Sequence, residues 1–243
     1  MSSDTRPDTI VLVHGFWVTP SWEGWIDHYE QKLGRAARSR DGSSVTGLTL
    51  THIGGPTVLI EVGGWRILTD PTFDPPGRRY RFGWGTASTK VAGLAVTAAD
   101  LGPIDAVLLT HDHHTDNLDD QGRSLLEEAG RVVTTESGAS RLGAGACGLR
   151  AWERTTLEAA GRSSIEVTAT PCRYGPPLSH PIVGDVIGFA LTSPDLSVGA
   201  LWISGDTVLY DAWTAATRSS PRPVTSLPTR QMSWSDHDPS VVR

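Results

Sequence analysis

The chain has 243 residues, enough for one large α/β domain or two small ones, with 38 % hydrophobic residues, 26 glycines, 16 prolines and 9 tryptophans. A chain this long buries roughly 70 % or more of its unfolded surface, and distinct apolar runs with abundant tryptophan exclude a disordered polymer. Lys+Arg of 21 against Asp+Glu of 27 leaves a formal charge of −6 and no basic block, which argues against a nucleic-acid partner held by simple electrostatics.

Residues 1–8 are polar and lack the apolar core of a secretory signal. The longest apolar runs are strand-sized, so no transmembrane helix is expected. Only two cysteines occur, Cys147 and Cys172, a sparse usage that favours free thiols in a reducing cytoplasm.

Thr9–Val13 reads as a buried strand entering a tight turn at His14–Gly15. Trp22–Arg38 reads as a helix capped by Ser21, and Arg38–Gly47 as a polar linker. Leu48–Ile53, Thr57–Val62 and Trp65–Thr69 then read as three strands. Gly54–Gly55–Pro56 and Gly63–Gly64 separate them, the latter a hairpin signal. Asp70–Thr89 holds too many prolines and glycines for regular structure, and a loop so long inside a compact domain is usually functional. Within it Arg78, Arg79 and Arg81 form a basic cluster that reads first as a solvated loop and second as a site for a phosphorylated small molecule. Phe73 and Trp84 either line a pocket there or pin the loop to the core.

Ile104–Thr110 reads as a buried strand and Asp119–Ala129 as a helix with Leu125 and Leu126 inward. Arg131–Thr135, Ile165–Thr170, Val186–Leu191 and Gly199–Ser204 read as further strands, Ser137–Leu142 and Tyr210–Arg218 as helices. Two groups of strands with helices between them predict two stacked sheets with helices outside. The division expected is an extension over 1–47, a domain over 48–218 and an irregular tail over 219–243.

The strongest chemical signal follows the strand that ends at Thr110. His111–Asp112–His113–His114–Thr115–Asp116–Asn117 packs three histidines and two aspartates into one loop. Imidazole and carboxylate suit Zn²⁺, Fe or Mn²⁺. His111 and His113, two residues apart, point to one side of an extended backbone. Asp116 follows after a turn and suits a second ion or the orientation of a ligand. A second apolar strand ends in Gly205–Asp206, which sets a carboxylate at a strand tip beside a residue without a side chain. A third, Ile165–Thr170, ends in the loop Pro171–Cys172–Arg173–Tyr174–Gly175–Pro176–Pro177. Three such tips are expected to converge at one edge of a sandwich.

LLTHDHHTDNLDD resembles the His-x-His-x-Asp-His signature of metallo-β-lactamase-fold hydrolases. With THIGGPTVLIEVGGWRILTDPTFD (Thr51–Asp74), GDVIGFAL and LWISGDTVLY, the order is similar to the branch that includes L-ascorbate-6-phosphate lactonase and N-acyl-phosphatidylethanolamine phospholipase D. The likeness runs over roughly Leu48–Asp211. It implies an αβ/βα sandwich of two mixed β-sheets flanked by helices. It also implies a metal-bound hydroxide acting on a small-molecule lactone, amide or phosphoester, with one or two ions, Zn²⁺ first and Mn²⁺ or Fe as alternatives. Carried onto this chain, His111 and His113 bind the first ion, with His114 in place of His113 in an alternative register. Asp116 binds a second ion where one is present, and Asp206 bridges the two or completes the first site, so Asp116 and Asp206 carry the catalysis.

Three departures bear on that reading. HDHHTDN is one residue longer than the usual spacing and ends in Asn117 where the family has a histidine. Tyr174 stands where a histidine usually precedes Gly-Pro, with His180 six residues on as a substitute. His237 lies in SWSDHDPS, unlike the family's final histidine element, so the C-terminal part is expected to be shortened or replaced. TIVLVHGFWVTPSWEGWIDHYE resembles the opening of an α/β-hydrolase, but the chain has no Gly-x-Ser-x-Gly elbow to seat a serine nucleophile. The alternative to a hydrolase is a metal-binding protein of the same fold with little catalysis.

Overall fold

A computed structural model describes residues 9–14, 47–83, 86–91, 93–143, 145–173, 184–196, 199–207 and 241–242. The helices expected over Trp22–Arg38 and Tyr210–Arg218, and Trp84, Tyr174, His180 and His237, lie outside the described residues.

Seven strands form the larger sheet, in the order β14 (Val241–Val242), β2 (Leu48–Gly54), β3 (Thr57–Val62), β4 (Trp65–Thr69), β7 (Ala106–Leu108), β8 (Val132–Thr135) and β9 (Ala146–Leu149). β2, β3 and β4 run antiparallel through glycine turns, whereas β4, β7, β8 and β9 are parallel. The smaller sheet has the order β1 (Thr9–His14), β13 (Gly199–Gly205), β12 (Ile187–Thr192), β11 (Ile165–Pro171) and β10 (Arg154–Leu157). β10 to β13 are antiparallel neighbours, and β1 adds to β13 in parallel.

Period-two alternation decides which side chains meet between the sheets. Ile60, Ile67, Leu108 and Val133 of the larger sheet face Val167, Phe189, Leu191 and Leu201 of the smaller one. Their sequence neighbours Leu59, Leu68, Val107, Leu109 and Val132 face the other way and form a second apolar cluster with Phe73 and Leu118. Among the described residues, two helices belong to that outer side. In α1 (Asp120–Leu126) Leu125 and Leu126 pack inward, as the sequence predicts, and α2 (Glu136–Leu142) adds Leu142. The result is the α/β sandwich of two stacked sheets.

One stretch differs from expectation. Within Asp70–Thr89, β5 (Arg79–Gly83) and β6 (Thr86–Thr89) pair as a two-stranded ribbon. Tyr80, Phe82 and the Thr/Ser run favour extended backbone, and the glycines of this stretch do not interrupt either run beyond Gly83. Arg78, expected in a basic cluster, pairs instead with Asp74 (3.2 Å) and Asp120 (2.7 Å). Phe73 is core. No helix among the described residues is long and apolar enough to cross a membrane.

Strand direction then fixes where polar loops gather. β4 and β7 are parallel, so Asp70 and Thr110 leave the larger sheet at one edge. β11 and β13 are both antiparallel to β12, so Cys172 and Asp206 leave the smaller sheet together. The two edges meet where the Ile187 N–H donates to the Thr110 carbonyl (3.2 Å).

Candidate metal centre

The site is built outward from Asp70, at φ 31° just past β4 and fully buried. Its carboxylate accepts from the Thr110 backbone N–H (2.7 Å) and from the Thr110 hydroxyl (3.0 Å). Burial drives the Asp70 carboxyl well above the ordinary carboxylate range; the Thr110 hydrogen bonds oppose this and the charge of Asp206 adds to it. With its proton donated to Asp70, the Thr110 oxygen accepts from His111 Nδ1–H at 3.0 Å. That bond fixes the His111 tautomer and leaves Nε2 as a lone pair directed into the site.

Three imidazoles share that space. His111 Nε2 lies 3.3 Å from His114 Nδ1. The His113 ring centroid lies 5.0 Å from that of His111 and 4.3 Å from that of His114. One ligand atom from each of the three falls within 4.8 Å of the others. Burial first, and the neighbouring imidazoles second, hold His111 well below its ordinary pKa and bring His114 down to about 4. Both are therefore neutral at physiological pH, the form a metal needs. His113 is seated by glycine: Gly184 has φ +72°, and a Cβ there would lie 2.5 Å from His113 Nε2.

The opposite wall is Asp206, whose Oδ2 lies 3.9 Å from His111 Nε2. It reaches that point because Gly205 turns the chain at φ +63° and passes within van der Waals range of Thr110, where a Cβ would meet the threonine methyl at 3.2 Å. Asp206 is 1 % exposed, and neither carboxylate oxygen has a hydrogen-bond partner among the described residues. Burial, and then the charge of nearby Asp116, push its pKa up to about 7. A buried carboxylate without donors is costly, and a cation is the group that offsets the cost. Three convergent imidazoles facing such a carboxylate therefore fit a divalent metal ion.

Around this centre the loop is clamped from below. Arg141, on α2, closes a two-pronged contact on Asp112, Nε to Oδ2 at 2.8 Å and Nη2 to Oδ1 at 2.5 Å. Burial raises the Asp112 carboxyl, but the Arg141 hydrogen bonds and charge outweigh it and leave it below the usual range. Asn117 is wholly buried and close enough to Asp70 to favour its carboxylate, yet neither amide atom reaches hydrogen-bond geometry among the described residues. On the other lip, the Arg173 N–H donates to the Thr207 hydroxyl (2.9 Å) and the Cys172 thiol to the Ser204 carbonyl (3.0 Å). Burial, then the charges of Asp206 and Asp70, keep that thiol protonated.

Of the residues singled out from sequence, His111, His113, His114 and Asp206 come together, and Asp116 lies near enough to Asp206 to raise its pKa but outside the convergent imidazole group. Sequence reasoning named Thr110 and Asp112 without giving either a role, and passed over Arg141 and Gly184. Asp70 had a signal, the Thr-Asp-Pro that closes a strand.

A family profile described as beta-lactamase superfamily domain matches residues 65–239. A search of curated proteins by sequence finds no match. Among solved structures, isothiocyanate hydrolase from Delia radicum gut bacteria is similar at TM-score 0.54 and 22 % identity, covering 67 % of this chain and 64 % of that one. A possible metal-dependent hydrolase from Veillonella parvula DSM 2008 is similar at TM-score 0.56 and 21 % identity, covering 72 % of this chain and 69 % of that one. The chain thus spans less than two thirds of the isothiocyanate hydrolase, and at these identities the likeness is one of fold. Because the matched span runs from β4 through the histidine loop and Asp206, the chain belongs to the beta-lactamase superfamily, with the metallo-β-lactamase fold.

Proposed function

We propose that the chain is a metal-dependent hydrolase of small molecules, acting on a lactone, amide or phosphoester, within the branch that includes L-ascorbate-6-phosphate lactonase and N-acyl-phosphatidylethanolamine phospholipase D. The observation that carries this reading is the buried Asp206 carboxylate, without hydrogen-bond donors among the described residues, facing three imidazoles at one edge of the sandwich.

His111, His113, His114 and Asp206 would hold the ion, and Zn²⁺ suits their nitrogen-rich set best, with Mn²⁺ or Fe as alternatives. Bound there, a divalent ion supplies a strong nucleophile from water at neutral pH and a Lewis acid for the bond to be broken. Thr110 and Asp70 keep the His111 lone pair aimed into the site. Arg141 keeps Asp112, and with it the loop backbone, in place. Asp116, buried and near enough to Asp206 to raise its pKa, would take up the water proton on its carboxylate and return it to the leaving group.

The test uses the purified full chain. Elemental analysis should find a transition metal, a chelator should abolish hydrolysis of a simple lactone or of bis-(p-nitrophenyl) phosphate, and added Zn²⁺ should restore it. Isothiocyanates belong in the same panel, given the similar isothiocyanate hydrolase. Bound metal without turnover on any of these substrates would favour the metal-binding, non-catalytic reading.

A further inference from the structure

We propose that Trp152 is a specificity-determining residue at the mouth of the metal centre, and that it selects small molecules carrying an apolar ring at a distance from the bond to be broken. The proposal rests on the hydrolase reading above and deepens it by naming a feature of the substrate.

The backbone around Trp152 is strained and tightly held. The Glu153 N–H donates to the Arg150 carbonyl (2.9 Å), closing a four-residue turn with Trp152 third, at φ 74°. A type II turn has positive φ at that position and gives it to glycine or asparagine. The Trp152 N–H donates to the Ala169 carbonyl (2.8 Å), and the Ala169 N–H to the Glu153 carbonyl (2.9 Å). Trp152 and Glu153 thus oppose the single residue Ala169 just before β10, in a bulge whose first residue is normally a left-handed glycine. Further bonds fix the turn. The Arg150 N–H donates to Glu153 Oε2 (2.9 Å), and the Arg150 guanidinium closes on both carboxylate oxygens of Glu136 (2.7 and 2.6 Å). A bulky residue keeps such a conformation only where its surroundings impose it, and bulges of this kind re-aim a side chain beside a site. Yet the indole is not packed away: Trp152 stays 44 % exposed, one of two large apolar side chains left exposed among the described residues. Asparagine here would relieve the strain and remove the exposed apolar surface together, so the indole serves something other than the fold.

Its place says what that is. β8 and β9 run parallel to β7, so the turn after β9 leaves the larger sheet at the edge that carries Thr110 and His111. β11 reaches the lip of the centre at Cys172, three residues past Ala169. About 5 Å across the ladder and about 10 Å along the strand therefore separate Trp152 from that lip. A continuous rim joins the two. Gly184 lies against His113, and Asp185 follows it, close enough for its charge to act on Arg141 and on Glu136. Glu136 in turn holds Arg150. At this range the indole meets a substituent of a molecule bound at the ion and not the reacting atoms. A flat apolar face there suits an aromatic or other apolar ring.

The experiment measures binding of 4-phenylbutanohydroxamic acid and of acetohydroxamic acid to the Zn²⁺-loaded full chain by calorimetry, for wild type, Trp152→Asn and Trp152→Phe. The two probes share a metal-binding head, differ in the ring, and need no turnover. Wild type should prefer the phenyl probe by at least about tenfold. Trp152→Asn should lose most of that preference, keep its acetohydroxamate affinity within about twofold, and melt no lower than wild type, since asparagine accepts a positive φ. Trp152→Phe should keep a preference of at least about threefold. No preference in wild type, or an equal one in Trp152→Asn, would overturn the role of Trp152 even in an active hydrolase. A Trp152→Asn protein with a lower Tm and weakened acetohydroxamate binding would assign the indole to packing and overturn it as well. A Trp152-dependent preference without turnover on any substrate would count only against the hydrolase reading. A chain that takes up no Zn²⁺ and binds neither probe would overturn both.

Discussion

Asp206 concentrates the electrostatics of the molecule in one side chain. In the metal-free protein its pKa of about 7 lies far above the value of about 3.9 for an unfolded aspartate. The folded state therefore binds the extra proton between those limits, so this carboxylate removes stability as pH rises from about 4 to about 7, and the loss is complete above that window. A rise of that size corresponds to roughly 4 kcal/mol of preference for the protonated form. His111 and His114 act in the opposite sense, since both are neutral when folded and regain stability as pH rises to about 6.5. Comparing wild type with Asp206→Asn largely removes the contribution of His114, while His111, 3.9 Å from the carboxylate, is coupled to it. The metal-free variant should be more stable than metal-free wild type at pH 8, by a few kcal/mol in urea denaturation, with the advantage shrinking towards pH 4. A variant less stable than wild type at pH 8 would mean that this carboxylate has a favourable partner when metal is absent. His111 and Asp206 were legible in the sequence because each sits at the tip of an apolar strand. The Arg141 clamp on Asp112 was not, because 29 residues and a helix separate the partners and neither has a local pattern.

At the scale of elements, Asp119 ties α1 to the site. It caps the helix by accepting from the Gly122 N–H (2.8 Å), accepts from the Asp74 N–H (2.6 Å), and lies 4.0 Å from the Lys90 ammonium. The helix sits so close to the strand–loop junction that a Cβ on Gly122 would overlap the Pro71 carbonyl. Asp119→Ala therefore removes a cap and orphans a buried N–H, for about 2–4 kcal/mol in urea denaturation. A loss below about 1 kcal/mol would show that the Asp74 loop finds other partners. This helix was legible from its cap and its inward leucines, and β3 and β4 were legible to the residue from their β-branched runs. β9 and β10 were missed for a physical reason. They are four residues each, one carries a glycine, and their mixed burial leaves no clean alternation to read.

For the whole molecule, the ion would be a bond between sheets. The imidazoles come from the loop after β7 in the larger sheet, and Asp206 from the end of β13 in the smaller one. The sandwich and its converging edges were readable in outline from strand order. The pairing of edges was not, since the Thr110–Ile187 contact that joins them has no sequence signal. A ligand that binds only the folded state at a concentration 100 times its Kd stabilises by about 2.7 kcal/mol. For a chain of this size each kcal/mol moves Tm by about 2–4 °C. Chelation should therefore lower Tm by about 5–10 °C, and each tenfold rise in free Zn²⁺ should restore about 3–6 °C. Trp65 in the larger sheet and Trp202 in the smaller are both buried, so single-tryptophan reporters can follow each sheet separately. If the ion is held by residues from both, the two reporters should shift together on metal addition. A shift confined to the Trp65 reporter would mean that the ion is held by the histidine loop alone and that Asp206 contributes nothing to it.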